Sequence, residues 1–206
     1  MTDMIHIVNY GMGNIGSLIN MFKYIGISVE VTSNPKELSL AKKILLPGVG
    51  AFGPAMDCLD KLNLRNVLIE KAFDQKSHML GICLGMQLLT TNSEEGDVNG
   101  LDIIQGHTRR FPEIKGFKVP HMGWNKITVD QPSELTKNLQ NEPKFYFVHS
   151  YYVEVANAQH RSLSCNYGIR FDAGVKRGNV YGVQFHPEKS HKYGLHLLKQ
   201  FANIPC

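Results

Sequence analysis

Met79-Leu80-Gly81-Ile82-Cys83-Leu84-Gly85 begins as a short apolar strand and turns, at a cysteine set between glycines, into a helix. A strand that hands directly to a helix is the unit from which parallel sheets are built. The alternation extends back through the first half. Ile5-His6-Ile7-Val8-Asn9 reads as a buried strand closed by a Gly11-Met12-Gly13 turn. Residues 15–25 follow with Leu18, Ile19, Phe22 and Ile25 at helical spacing. Strands are expected at 28–32 and 43–46, the latter ended by Pro47-Gly48, and helices near 55–62 and 64–73. After Gly100 short strand-like runs dominate, at 106–111, 125–129, 145–155, 162–167 and 180–185, before a helix near 193–201. The expected fold is α/β, a central mostly parallel sheet flanked by helices, with antiparallel additions in the second half. No repeat or linker interrupts it, so one domain over 1–206 is expected.

Composition narrows the function classes. In 206 residues, 43% hydrophobic and 19% charged content fits a soluble globular chain and excludes a disordered one. The net charge is +4 and Arg109-Arg110 is only a pair, so a nucleic-acid stripe is not expected. A local basic patch for a phosphorylated metabolite or an acidic partner stays open. Cys58, Cys83, Cys165 and Cys206 form no C-x-x-C pair, which argues against a zinc site or a disulfide framework. No metal and no cofactor are indicated. The opening Met1-Thr2-Asp3-Met4 shows no signal-peptide pattern, and no apolar run has membrane-spanning length. A cytoplasmic setting is expected, where a lone cysteine persists as a reactive thiol.

Gly81-Ile82-Cys83-Leu84-Gly85 has the form G-x-C-x-G, the thiol version of a nucleophile elbow. Flanking glycines leave room for the turn and for an incoming substrate. The Leu84 N–H then points to where an oxyanion would form. A buried structural cysteine would fit this turn too, until Gly182-Val183-Gln184-Phe185-His186-Pro187-Glu188 is considered. A thiol nucleophile needs a base, and the base needs a group that fixes its tautomer. His186 would sit at a strand end, with Glu188 held in fixed relation to it by Pro187. The other three cysteines lack glycine-flanked turns.

These blocks, with Met86-Gln87 continuing the first, resemble the signatures of class I (triad) glutamine amidotransferases. Asn9-Tyr10-Gly11-Met12-Gly13-Asn14, Pro47-Gly48-Val49-Gly50-Ala51-Phe52 and Pro120-His121-Met122-Gly123-Trp124-Asn125 are similar to the glutaminase subunits of imidazole glycerol phosphate synthase. The resemblance runs in order along the whole chain. It implies a flavodoxin-like fold and hydrolysis of L-glutamine to glutamate and ammonia. It also implies a partner, a separate barrel-type cyclase subunit that receives the ammonia in histidine biosynthesis. Cys83, His186 and Glu188 are then the catalytic triad. Leu84 supplies one oxyanion donor, and Val49 with Gly50 the other. The resemblance points to Gly50, Gln87, Glu95, Ser150 and Tyr151 as glutamine contacts. Gln87 lies one helical turn after Cys83 and so on the same side. Glu94 competes with Glu95, and Ser150 and Tyr151 also fit plain strand positions. Asn14, His121, Met122, Trp124, Tyr146 and Lys189 are expected at the cyclase interface. For Trp124, in a glycine-containing turn, a core-capping role stays open. A paralogous glutaminase feeding another synthase, such as one amidating a surface sugar, is the alternative. A cysteine peptidase fits less well, because Gln87 and the 47–50 loop suit a small amino acid.

Overall fold

The computed structural model describes residues 4–206, so the leader expectation for residues 1–3 falls outside it. In chain order the elements are β1 (Ile5–Val8), α1 (Ile15–Tyr24), β2 (Val29–Thr32), α2 (Pro35–Leu40), β3 (Lys43–Gly48), α3 (Phe52–Lys61), α4 (Leu64–Phe73), β4 (His78–Cys83) and α5 (Leu84–Leu88). Then come β5 (Asn92–Ser93), β6 (Val98–Asn99), β7 (Gly106–Arg110), β8 (His121–Val129), β9 (Lys144–His149), β10 (Tyr151–Val155), β11 (Arg161–Tyr167), β12 (Ile169–Arg177), β13 (Val180–Val183) and α6 (His191–Asn203).

β2-β1-β3-β4-β13 pair in parallel, the flavodoxin-like order in which sites form beyond the carboxyl ends of the strands. β12 then runs antiparallel to β13, and β10, β7 and the short β5 and β6 extend that edge. β11, β8 and β9 branch from β12 as an antiparallel layer. The central strands are buried at nearly every position, as strands covered on both faces must be. Their two-residue period divides the core. Ile44, Leu46 and Met79 join Phe52, Leu59 and Leu68 of α3 and α4 on one face. Ile5, Ile7 and Leu80 join Phe22 of α1 and Leu198 and Phe201 of α6 on the other.

Several expectations are corrected. β3 continues through Pro47-Gly48 rather than ending before them. Its pairing with β1 stops at Leu45, so the donor that proline lacks costs no bond on that side. The run at 145–155 is two strands that part at Ser150 and pair with different neighbours, β9 with β8 and β10 with β7 and β12. Trp124 lies within strand β8, not in a turn. α2 and β12 were not foreseen. β12 is masked in sequence by Asp172, a carboxylate buried at 2% exposure that accepts from the Val155 N–H (2.8 Å) and pairs with Arg161.

Gly85 fixes the junction of β3, β4 and α5. A Cβ there would lie 1.8 Å from the Leu46 carbonyl oxygen, a backbone atom that cannot step aside. Gly85→Ala is therefore expected to cost at least about 2 kcal/mol of unfolding free energy. Urea denaturation measures it, and a wild-type midpoint would contradict the close packing.

Candidate active site

The strand register brings the chemistry together. Gly48 of β3 lies opposite Cys83, and Ile82 opposite Val183 of β13. Three adjacent parallel strands thus end side by side, at the 48–50 loop, at Cys83 and at the 184–188 segment. Cys83 has φ 54° and ψ −111°, a left-handed conformation that costs a non-glycine residue on the order of 1–3 kcal/mol. The turn tolerates it because Gly81 lets the Gly85 carbonyl fold back against the strand; a Cβ at Gly81 would sit 2.7 Å from that oxygen.

His186 is almost fully buried, and its position is fixed by main-chain bonds. Its N–H donates to the Tyr146 carbonyl (2.9 Å). The Ser190 hydroxyl donates to the His186 carbonyl (2.6 Å) and accepts from the Tyr146 N–H (3.0 Å), sewing the segment to β9. Nδ1 lies 2.8 Å from Glu188 Oε1, with the two side chains 2% and 3% exposed. A carboxylate there only accepts, so Nδ1 carries the hydrogen and Nε2 is free for the thiol. Nε2 is buried without a hydrogen bond of good geometry among the described residues, and Cys83 is close enough to act on it as a polar neighbour. Such bonds are often loose before substrate arrives. Burial alone would push the imidazole down. Cys83 first and Glu188 next override it and raise His186 to about 10, which makes the imidazole a strong acceptor for the thiol proton.

Cys83, Leu84, His186, Val49, Gly50, Gln87, Glu95, Ser150 and Tyr151 all border one cleft of about 570 Å3, with Asn14 and Lys189 at its rim. Glu188 sits behind His186 rather than in the wall. Gly50, at φ 113°, lies in a conformation that side chains rarely adopt. Val49 beside it is 41% exposed. The pair Glu94 and Glu95 separates cleanly. Glu94 accepts from the Arg110 N–H and faces Arg109 at the sheet edge. Glu95 reaches the cleft, where Oε2 accepts from the Phe52 N–H (2.9 Å). That bond caps α3, whose own preceding residue, Ala51, has no capping side chain. Gln87 donates from Nε2 to the Tyr151 carbonyl (3.0 Å) and to Gln184 Oε1 (3.1 Å), leaving its own Oε1 as an acceptor.

Of the residues expected at an interface, Met122 is 61% and Trp124 47% exposed. Trp124 stacks on His191 (5.4 Å between centroids) and meets Tyr146 edge-on, so it does not cap the core. Lys189 lies over the Tyr146 ring at 5.7 Å. His121 is the exception. Side chains alternate faces along β8, so with Met122 and Trp124 outward, His121 points inward. It is 2% exposed, stacked between Phe147 and Tyr167, and bonded to His149 (3.0 Å). Sequence reasoning missed His149, Gln184 and Ser190. Only His149 left a trace, as the third inward position after Phe145 and Phe147.

Burial pushes His149 down to about 3 and His121 down to about 4, from an ordinary 6.5. Stability from these neutral rings is fully present above pH 6.5 and is lost as pH falls through their folded values. The thermal midpoint is expected to drop between pH 6.5 and the carboxylate range, and less so in His149→Gln. Equal slopes for the two proteins would count against buried neutral rings.

The family profile of glutamine amidotransferase class-I matches residues 6–204. The chain is 46% identical, over 96% of its length and 98% of the relative's, to imidazole glycerol phosphate synthase subunit HisH 2 of Methanococcus maripaludis. It is 45% identical, over 98% and 100%, to imidazole glycerol phosphate synthase subunit HisH of Bdellovibrio bacteriovorus. The solved structure of PurLQS from Thermotoga maritima superposes with a TM-score of 0.77 at 16% identity, covering 98% of this chain and 99% of that one, a likeness of fold. An end-to-end match of this strength, on a sheet that brings a cysteine and a histidine to one cleft with a glutamate behind the histidine, makes the chain a member of the class-I glutamine amidotransferases and, within them, of the HisH family.

Proposed function

We propose that the chain is the glutaminase subunit of an imidazole glycerol phosphate synthase, hydrolysing L-glutamine and passing the ammonia to a cyclase subunit for histidine biosynthesis. The observation that carries the chemistry is the row Cys83, His186 and Glu188, with Nδ1 committed to Glu188 and Nε2 turned to the thiol side of the cleft. His186 takes the Cys83 thiol proton, the sulfur attacks the side-chain amide carbon of glutamine, and the carbonyl electron pair moves to oxygen. The oxyanion is received by the Leu84 N–H and by the Val49–Gly50 loop. His186 gives its proton to the amide nitrogen, the C–N bond breaks, and ammonia leaves a glutamyl thioester. His186, now neutral, takes a proton from water, which attacks the thioester and releases glutamate.

Two acceptors line the cleft wall where the substrate's α-ammonium would lie: Gln87 Oε1 and the Glu95 oxygen not used by Phe52. Ser150 and Tyr151 complete the grip on the amino-acid end. The partner is a barrel-type cyclase docking over the cleft mouth on Asn14 and Lys189, which line it, on Tyr146 and Trp124, in ring contact beside Lys189, and on exposed Met122, whereas His121 is interior. There the ammonia goes into imidazole glycerol phosphate, with an aminoimidazole carboxamide ribotide as the second product. The chain works as one glutaminase domain. Among the described residues no helix is long and apolar enough to cross a membrane, and we place the reaction in the cytoplasm.

Glutaminase assay with and without the cyclase tests this. Cys83→Ala is expected to abolish activity; turnover in that variant would sink the mechanism. Glu188→Gln should lower kcat by about 100-fold or more at similar KM, because the imidazole loses its orienting charge. The wild-type chain should idle alone and accelerate with the cyclase, since the glycine-flanked Val49 peptide can rotate out of line. Full activity alone would refute that gating. Stimulation only by a sugar-amidating synthase would leave the chemistry standing and move the pathway to the paralogous alternative.

A further inference from the structure

Gln184 precedes His186 by two residues, and neither the triad nor the glutamine contacts use it. Its side chain is fully buried, and its Nε2 lies 3.7 Å from the Cys83 sulfur. Which end of this amide faces sulfur follows from its neighbours. The Tyr151 carbonyl can only accept, and Gln87 Nε2 lies 3.0 Å from it, so the Gln87 NH2 is turned that way. His149 Nδ1 approaches the same oxygen at 2.7 Å and fixes it further. The second hydrogen of Gln87 Nε2 then meets Gln184 at 3.1 Å, which requires Gln184 Oε1 at that end. The NH2 of Gln184 is left facing Cys83 as a donor.

We infer that Gln184 is a hydrogen-bond donor to the Cys83 thiolate, an inference that rests on Cys83 being the nucleophile. A donor aimed at sulfur favours the charged form over the neutral one, more so in a buried site. It also holds the sulfur from the side opposite to solvent, so that the lone pair directed into the cleft is the one that attacks. Its second contribution comes at thioester hydrolysis. As water adds and the tetrahedral carbon collapses, the C–S bond breaks and its electron pair returns to sulfur. The Gln184 N–H already faces the atom on which that charge appears. Gln87 acts through Gln184 as a positioning residue, in addition to bordering the cleft.

The test uses the full-length chain with its cyclase. Gln184→Met keeps the length of the side chain and removes the donor. Gln184→Glu keeps the shape and an acceptor for Gln87, but sets a carboxyl group against sulfur. Alkylation of Cys83 by iodoacetamide is followed across a pH series by mass spectrometry of the peptide that carries it. The rate profile is expected to move to the alkaline side by about one pH unit in Gln184→Met, about a tenfold loss of rate below the midpoint, and further in Gln184→Glu. In Gln184→Glu, kcat for glutamine should fall about tenfold or more while KM stays near wild type, since the Gln87 contact is kept. A wild-type alkylation profile in Gln184→Glu overturns the inference, even if Gln184→Met fails to fold. The alkylation readout needs no turnover. An active Cys83→Ala enzyme would therefore remove the nucleophile assignment, while the alkylation profile would still decide whether Gln184 donates to sulfur.

Discussion

The Leu46 carbonyl, the missing Cβ of Gly85 and the turn at Cys83 occupy nearly the same space, and much of the site depends on that crowding. Gly48 is under the same constraint, since a Cβ there would fall 2.6 Å from the Tyr10 hydroxyl and 2.8 Å from the Gly85 nitrogen. Tyr10 in turn donates to the Pro47 carbonyl at 2.7 Å. β3 and α5 are therefore pressed together by backbone, not by adjustable side chains. The turn has no slack through which Cys83 could relax toward an ordinary helical conformation. The strained cysteine is held by packing on every side, as strain at a functional residue requires.

The same residue type is pushed in opposite directions a short distance apart. His186 lies between a thiol and a carboxylate, which push its proton affinity up. His149 and His121 are buried among aromatic rings and each other, with no carboxylate among the described residues to compensate, and are pushed toward the neutral form. A neutral imidazole both donates and accepts, so the pair can pass one hydrogen-bond direction along itself, from His121 Nδ1 to His149 Nε2 and on to the Tyr151 carbonyl. Charge is concentrated at the triad and excluded from the layer beneath the cleft.

The parallel sheet was legible because its strands are apolar runs joined to periodic helices, and α4 was read to its ends. The triad was legible for a different reason: a cysteine between glycines and a histidine after a buried strand are rare features that need each other. What escaped depended on contacts across space. β12 carries a buried aspartate whose partner, Arg161, lies on another strand. Gly123 beside Trp124 suggests a turn in sequence, yet Gly123 takes its φ of 128° within the strand, where a Cβ would meet nothing. Gln184 and Ser190 act through amide and hydroxyl groups that any polar residue shows in sequence. Only the neighbouring carbonyls reveal their direction.

β13 is the last strand along the described chain, yet it lies inside the sheet between β4 and β12. During synthesis the edge of β4 must wait, unpaired, until residues 180–183 exist, because no earlier strand takes that place. A growing chain therefore exposes Cys83 long before the base that activates it. Its chemistry begins only when the middle of the sheet closes. Assembly and activation become one event, and a truncated polypeptide lacking β13 carries a thiol but no hydrolytic centre.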